Sequence, residues 1–198
     1  MYKWIGALTA ALALVACGGP ESVPGTPSAT GVTPADLAAL AEQYRLPDCP
    51  ETDRETPAVD GGLPQTELAC LGSGRKVNLA GLPRTPTIVN VWAQWCEPCR
   101  EEAAFLREGL AELDGVSFVG INYNDPKPDW AVEFAGLVGW FYPHVVDQDK
   151  TLRAELPIAG IPTTFFVDED GVIAGIHPGP FESTAQLRDL AATYLGAP

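Results

Sequence analysis

Two cysteines stand three positions apart in the segment Cys96-Glu97-Pro98-Cys99. A pair at this spacing can bind zinc, attach haem or exchange disulfides. Zinc would need a second cysteine pair or nearby histidines, and the two histidines of the chain, His144 and His177, are remote in sequence. Haem attachment needs a histidine directly after the second cysteine, and Arg100 occupies that position. Disulfide exchange is therefore the chemistry that the pair predicts.

The flanking sequence predicts how the pair is presented. An apolar run, Thr87 to Trp92, is typical of a strand buried on both faces, and a helix is predicted over 97–113. Cys96 is expected at the exposed N-terminal end of that helix, where free backbone N–H groups and the helix dipole favour a thiolate. Pro98 is tolerated in the first turn. We therefore predict Cys96 as the nucleophile that forms a mixed disulfide, and Cys99 as the thiol that resolves it.

Strand and helix patterns alternate from Leu63 onward and predict an α/β domain with a mixed sheet and helical crossovers. Further strands are expected at 116–121, 144–146, 163–167 and 172–176, and further helices at 128–140 and 183–195. The inner stripe of the 128–140 helix is expected to consist of Trp130, Phe134, Leu137 and Val138. Upstream, Thr33 is expected to cap a short helix in an N-terminal extension over 34–62.

The N-terminus has the features of an export signal. Lys3 precedes an apolar run that is shorter than the roughly 20 residues a permanent membrane helix needs. Its end, Leu14-Val15-Ala16-Cys17, resembles the lipobox of bacterial lipoproteins. That resemblance implies a signal peptide over 1–17, lipidation of Cys17 and an extracytoplasmic, membrane-anchored protein. An uncleaved anchor helix and a plain secretory signal are the alternatives. Residues 18–33, mostly Gly, Pro, Ser and Thr, predict a flexible linker.

Five cysteines are present, and with Cys17 assigned to the lipid the other four allow three pairings. If Cys96 pairs with Cys99, Cys49 is left with Cys70. In an exported protein that second pair most simply forms a structural bridge, and free thiols are the alternative.

The charge balance limits the partners. The chain carries 12 Lys and Arg against 26 Asp and Glu, a formal net charge of −14, and has no basic run. Nucleic acid is therefore not an expected partner. We expect a monomer with no metal and no cofactor other than the redox-active Cys96–Cys99 disulfide.

The segment from Val91 to Cys99, Val-Trp-Ala-Gln-Trp-Cys-Glu-Pro-Cys, resembles the thioredoxin superfamily, and its continuation Arg100-Glu101-Glu102 resembles the TlpA/ResA branch. Gly160-Ile161-Pro162-Thr163-Thr164-Phe165 matches the cis-proline loop of that family. The resemblance covers about residues 63–198 and implies a thioredoxin-like domain, a central mixed sheet flanked by helices.

The resemblance also implies roles for individual residues. Pro162 is expected to be cis and to face the active cysteine, so that the backbone of Ile161 can pair with an extended substrate. Trp95 and Ile161 would form an apolar rim. The substrate-binding set is then completed by Glu97, Pro98 and Thr163.

Asn90 is a departure from thioredoxin, which has a buried Asp six residues before the first cysteine. An amide cannot accept the proton of the resolving thiol, so another base is needed. Glu102 lies three residues after Cys99, within side-chain reach on a helix, and resembles the active-site Glu of ResA-type proteins. We predict Glu102 as the general base for Cys99, with an exposed helix Glu as the alternative.

The leading functional hypothesis is an enzyme that reduces disulfides in exported proteins with electrons from a membrane thiol donor. In the TlpA/ResA branch such proteins often keep apocytochrome c thiols reduced. Negative charge from Glu97 and Glu102 favours the reducing direction, because it raises the pKa of a nearby thiolate. The alternatives are an oxidising catalyst of the same fold, a peroxidase, and a carrier of copper or another soft metal bound by Cys96 and Cys99.

Overall fold

A seven-stranded sheet organises residues 32–197, the part of the chain that the computed structural model describes. The proposed signal peptide, Cys17 and nearly all of the linker lie outside the described residues. The strands are β1 (Glu67–Cys70), β2 (Lys76–Asn78), β3 (Thr87–Trp92), β4 (Ser117–Tyr123), β5 (His144–Asp147), β6 (Thr163–Val167) and β7 (Ile173–Pro178). They lie in the order β2-β1-β5-β4-β3-β6-β7. The sheet is mixed, as predicted, because β3, β4 and β5 are parallel and the other pairings are antiparallel.

Five α-helices accompany the sheet in the described residues: α1 (Pro34–Gln43), α2 (Glu97–Glu101), α3 (Ala103–Glu112), α4 (Pro128–Val138) and α5 (Thr184–Leu195). Short 3-10 helices lie at Leu79–Gly81 and Thr151–Ala154. None of these helices combines the length and apolar character that a membrane span requires.

Strand β3, an interior strand of the sheet, separates two apolar cores. All six of its residues are buried, as its continuous apolar sequence predicted. Successive side chains of a strand point to opposite faces, so Ile88 and Trp92 pack in one core and Val89 and Val91 in the other. The core around Trp92 includes buried residues of α3, α4 and α5. The CxxC segment thus leaves the sheet at the end of a fully buried strand.

The helix at the start of the described residues begins as the sequence predicted. The Thr33 hydroxyl accepts a hydrogen bond from the Asp36 N–H, and the Asp36 carboxylate accepts one from the Thr33 N–H at 3.0 Å. The Tyr44 hydroxyl, just after α1, donates to Glu133 on α4 at 3.2 Å. The N-terminal extension therefore packs against the domain through α4.

The helix predicted over 97–113 is divided at Glu102, which ends α2 and precedes α3. The backbone ψ of Glu102 is −8°, and its carbonyl accepts from the N–H groups of both Phe105 and Leu106. At this bend the Glu102 side chain is buried and accepts hydrogen bonds from the Asn90 side-chain amide and the Phe181 N–H. The predicted helix is therefore present over 97–112 with an interruption at Glu102, and the polar contacts of the Glu102 side chain coincide with that interruption.

The inner stripe predicted for the fourth helix was also partly wrong. Trp130 is 55% exposed and Leu137 is 71% exposed, whereas the buried residues of α4 are Ala131, Val132, Phe134 and Ala135. Ala131, Ala135 and the Phe134 ring pack in the core that contains Trp92 and Trp140, so the stripe facing the core is rotated away from Trp130 and Leu137. The helix ends at Val138 because Gly139 adopts a left-handed φ of 81°.

Candidate active site

The cysteine pair lies at the junction between β3 and α2. Cys96 is the N-cap of α2, and its Sγ accepts a hydrogen bond from the Cys99 N–H at 3.2 Å. Its own N–H donates to the carbonyl of Ala93 at 3.1 Å, which closes a tight turn after the strand. The two sulfurs are joined in a disulfide, with a Cα–Cα distance of 5.3 Å. An N-cap position directs free backbone N–H groups at a sulfur, which stabilises a thiolate there after reduction.

The prediction that Cys96 is exposed is wrong for this oxidised state. Cys96 is 4% exposed and Cys99 is fully buried. The physical reason is that each sulfur is covered by its partner and both side chains pack in the core that contains Trp92 and Ala93. Cys96 still keeps the only solvent-facing part of the disulfide. Trp95, Glu97 and Pro98, which surround it in sequence, are exposed.

The loop before β6 lies beside the end of β3. Val91 pairs with Thr163 in antiparallel register, so Pro162 is placed next to the start of the active-site turn. The Ile161–Pro162 peptide bond is cis, and Ile161 packs against the core that contains both cysteines. The Pro162 carbonyl accepts a hydrogen bond from Gly179 at 2.9 Å. The two motifs singled out in the sequence therefore meet at one end of the sheet.

The predicted substrate-binding residues are not equally accessible. Trp95 is 50% exposed, Glu97 and Pro98 are exposed, and Ile161 is half-buried. Thr163 is buried and its hydroxyl donates to the Gly160 carbonyl at 2.7 Å. Its side chain therefore shapes the loop and is not available to a substrate.

Glu102 is fully buried beneath the helix bend and is not the exposed helix residue of the alternative interpretation. Its Oε1 accepts a hydrogen bond from the Asn90 side-chain amide at 3.0 Å, and its Oε2 accepts one from the Phe181 N–H at 3.1 Å. Burial raises the pKa of Glu102 from its ordinary 4.5 to about 7, and the two hydrogen bonds offset part of that effect. A carboxyl group with this pKa can exchange a proton near neutral pH.

Asn90 connects Glu102 to the sheet. Its Nδ2 donates both to Glu102 and to the Thr164 hydroxyl at 3.1 Å, across the pairing of β3 with β6. Its Oδ1 is buried without a hydrogen-bond partner. The sequence showed only that this position is not an Asp, and it gave no sign that the amide would contact the predicted base.

An aromatic cluster supports the floor of the site below Trp92. The Trp92 indole N–H donates to His144 Nδ1 at 3.2 Å. The neutral ring then carries its proton on Nε2, which donates to the Trp140 carbonyl at 3.2 Å. Burial lowers the pKa of His144 to about 4, so the ring is neutral near pH 7. Because both ring nitrogens are satisfied inside the core, His144 is a packing residue.

Sequence reasoning missed two contributors to the site. Asp125 is completely buried, and its carboxylate accepts a hydrogen bond from the Gln94 N–H at 2.8 Å. Phe181 supplies the backbone N–H that contacts Glu102. The tripeptide Asn124-Asp125-Pro126 is typical of a loop, but no sequence feature indicates which segment the carboxylate contacts.

Cys49 and Cys70 are also joined in a disulfide, with a Cα–Cα distance of 5.8 Å, which is the pairing the cysteine count favoured. The bridge is buried and ties the segment after α1 to the end of β1. Asp48 and these two cysteines form the one cluster of possible metal ligands in residues 32–197. Their sulfurs are bonded to each other, so they offer no thiolate ligands in this state.

Comparison with known proteins agrees with this geometry. A model of the redoxin family matches residues 55–193, which include the Cys96–Cys99 disulfide and the cis-proline loop. The chain belongs to the redoxin family. This redoxin is 36% identical over 135 residues to the thiol:disulfide interchange protein DsbE of Pseudomonas fluorescens biotype C, covering 67% of this chain and 73% of that protein. It is 30% identical over 131 residues to the thiol-disulfide oxidoreductase ResA of Geobacillus thermodenitrificans, covering 65% and 74%.

Solved structures give the same result. A thioredoxin-family thiol:disulfide interchange protein from Chlorobium tepidum matches this redoxin with a TM-score of 0.55 and 28% identity, covering 75% of this chain and 99% of that one. A secreted thiol-disulfide isomerase from Corynebacterium glutamicum matches with a TM-score of 0.58 and 26% identity, covering 66% and 81%. The thioredoxin-like fold expected from the sequence is therefore confirmed, and this redoxin is a thiol-disulfide oxidoreductase of the DsbE and ResA type.

Proposed function

We propose that this redoxin reduces disulfides in exported proteins, and that the thiols of apocytochrome c are among its clients. The observation that carries the proposal is the buried carboxyl group of Glu102, with a pKa of about 7, beneath the helix that bears Cys96 and Cys99. Such a group suits the proton transfer that a resolving thiol requires.

The reaction begins with the reduced protein. The Cys96 thiolate attacks one sulfur of the client disulfide, the client bond breaks, and a mixed disulfide forms while the second client sulfur leaves as a thiolate and takes a proton. Cys99 then loses its proton to Glu102 and attacks the Cys96 sulfur. The mixed disulfide between Cys96 and the client breaks, and the first client sulfur leaves as a thiolate that takes a proton from protonated Glu102 or from water. The client is released with two thiols, and the protein is left with the Cys96–Cys99 disulfide, the state described above.

A continued cycle needs a reductant, and we propose a membrane thiol donor that exchanges with the Cys96–Cys99 disulfide. Neither the donor nor the client requires a bound cofactor in this scheme, because the electrons pass between sulfur atoms. We further propose that Cys17 carries a lipid that keeps this redoxin at the extracytoplasmic membrane surface as a monomer. Loss of the protein from the membrane fraction on Cys17→Ser substitution, with unchanged reductase activity, would support that anchor.

The function is tested by trapping client proteins as mixed disulfides on Cys96. In a Cys99→Ser variant the resolving step is blocked, so we expect mixed disulfides to accumulate on Cys96 in cells, and mass spectrometry identifies the trapped proteins. A Cys96→Ser variant with intact Cys99 is the matched control and should trap little. Absence of trapped proteins from Cys99→Ser, or equal trapping by both variants, contradicts the proposal.

A direct assay separates the reducing from the oxidising direction. A disulfide-bonded peptide with the apocytochrome motif Cys-x-x-Cys-His should be reduced stoichiometrically by the dithiol form. The equilibrium with glutathione then gives the potential of the pair. A potential near that of strong oxidants would assign this redoxin to disulfide formation instead.

A further inference from the structure

The loop between β4 and α4 contacts the active-site turn. β3 and β4 are parallel, and their last paired residues are Trp92 and Asn122. The chain after each strand therefore emerges at the same edge of the sheet. The residues that follow Trp92 lead to Cys96, and those that follow Asn122 lead to Asp125.

Asp125 joins these two segments through a carboxylate that is completely buried. Its Oδ2 accepts hydrogen bonds from the Gln94 N–H at 2.8 Å and from the Asn122 side-chain amide at 3.0 Å. Its Oδ1 accepts one from the Lys127 N–H at 3.2 Å. All three donors are N–H groups, which compensate the burial of the carboxylate.

A second contact strengthens the junction. The Trp95 indole N–H donates to the Asn124 carbonyl at 3.2 Å. Asn124 has a left-handed φ of 50°, a conformation that Asn tolerates better than most residues. Two consecutive residues of the turn, Gln94 and Trp95, are thus fixed to two consecutive residues of the loop, immediately before Cys96.

The charged side chains around the active-site turn differ in how strongly solvent screens them. The Arg100 guanidinium donates to the Gln94 carbonyl at 3.2 Å, so the Gln94 residue lies between a cation and an anion. Arg100 is exposed and solvent screens its charge, whereas Asp125 is completely buried and is screened much less. The other ionisable side chains near the turn are Glu97 on α2, Glu102 at the helix bend and Lys127 in the loop. Glu97 and Lys127 are also exposed, so the buried carboxyl groups among these residues are those of Asp125 and Glu102.

We propose that Asp125 is a positioning residue that holds the turn presenting Cys96, and that its buried negative charge keeps the Cys96 thiol a weak acid. This inference rests on the proposed role of Cys96 as the nucleophile. A less stable thiolate makes the reduced state less stable, so the pair becomes more reducing. Asp125 would then help to set the direction in which this redoxin works.

The test compares two substitutions. Asp125→Asn is nearly isosteric and keeps an acceptor for the Gln94 N–H, but it removes the charge. We expect the pKa of Cys96 in the reduced protein to fall by about one unit, measured as the pH dependence of site-resolved iodoacetamide alkylation. At a pH above the wild-type Cys96 pKa, the glutathione equilibrium should shift about tenfold toward the dithiol form, which corresponds to about 30 mV. Asp125→Ala removes both charge and acceptor, and its alkylation rate per thiolate should also fall.

Asp147 provides a matched control. It is also buried, and its carboxylate accepts hydrogen bonds from the N–H groups of Thr151 and Leu152 at 2.8 and 3.0 Å and none from the active-site turn, since β4 lies between β5 and β3. Asp147→Asn should lower stability without moving the Cys96 pKa. An unchanged Cys96 pKa in Asp125→Asn, or an equal shift in Asp147→Asn, would overturn the proposal. Neither measurement needs a client, so an inactive wild type would contradict the proposed function without affecting this result.

Discussion

The side-chain amide of Asn90 donates a hydrogen bond to the carboxylate of Glu102, with 3.0 Å between Nδ2 and Oε1. The contact joins the strand before the cysteine pair to the helix bend after it. It offsets part of the burial that raises the Glu102 pKa, so that this group ionises near pH 7 and not far above it. An amide at position 90 thus supports a base supplied from another element.

The proton-accepting role of Glu102 predicts a change in both rate and pH profile. Glu102→Gln should slow resolution of the mixed disulfide by about 100-fold, because general-base catalysis contributes on the order of 100-fold or more. The wild-type rate should rise with pH through about pH 7, where Glu102 loses its proton, and the variant should lack that rise. Stopped-flow reduction of a model disulfide measures both. Glu101→Gln, on the exposed side of α2, is the control; if it slows the reaction equally, Glu102 has no special role.

Stability should depend on pH with opposite signs at two buried groups. Glu102 has a raised pKa, so its contribution to stability is present below pH 4.5 and is lost as pH rises through about 7. His144 has a lowered pKa, so its contribution is present above pH 6.5 and is lost as pH falls through about 4. Each effect is about 3 kcal/mol at most, and the two oppose each other in the wild type.

Glu102→Gln removes one of these opposing effects. Its free energy of unfolding should therefore fall as pH is lowered from 6.5 toward 4, more steeply than that of the wild type, because only the protonation of His144 remains. The amide that this substitution introduces can donate to Asn90 Oδ1, which is buried without a hydrogen-bond partner in the wild type. Urea denaturation at several pH values in this range measures how steeply the free energy of unfolding changes with pH. Parallel slopes for the two proteins would mean that Glu102 titrates normally in the fold.

The Cys49–Cys70 bridge should be structural only. It closes a sequence separation of 21 residues, and the chain-entropy model assigns a bridge of that span about 3 kcal/mol of stability. The double substitution Cys49→Ala and Cys70→Ala should lower the free energy of unfolding by about that amount and leave the glutathione equilibrium of Cys96 and Cys99 unchanged. A shifted equilibrium would show that the two disulfides communicate.

The exposed indole of Trp95 should contribute to client binding. Trp95→Ala removes a half-exposed ring beside Cys96 and should raise KM for a protein client about tenfold, since burying a large apolar side chain contributes about 1.5 kcal/mol or more. Trp95→Phe should recover most of that loss. Phe141→Ala removes an exposed ring before β5, at the opposite edge of the sheet from the turn, and should leave KM unchanged. Equal KM values for Trp95→Ala and the wild type would remove the ring from the binding surface.

Several features followed from the sequence because they depend on local chemistry. The spacing of Cys96 and Cys99, the continuous apolar run of β3 and the cap at Thr33 each fix a neighbouring backbone conformation. The Ile161-Pro162 motif belonged to a family pattern that the cis bond then matched. These signals predicted the α/β class, the junction of strand and helix, and the pairing of the cysteines.

The environment of each group depended on the tertiary structure, because burial and hydrogen bonding are set by segments distant in sequence. Glu102 acquired its pKa from Asn90, Phe181 and the surrounding core, and the same contacts coincide with the break in the predicted helix. Asp125 looked like a loop residue until the parallel pairing of β3 and β4 placed it beside Gln94. The sequence determined which atoms can react, and the packing of remote segments decided how acidic and how accessible those atoms are.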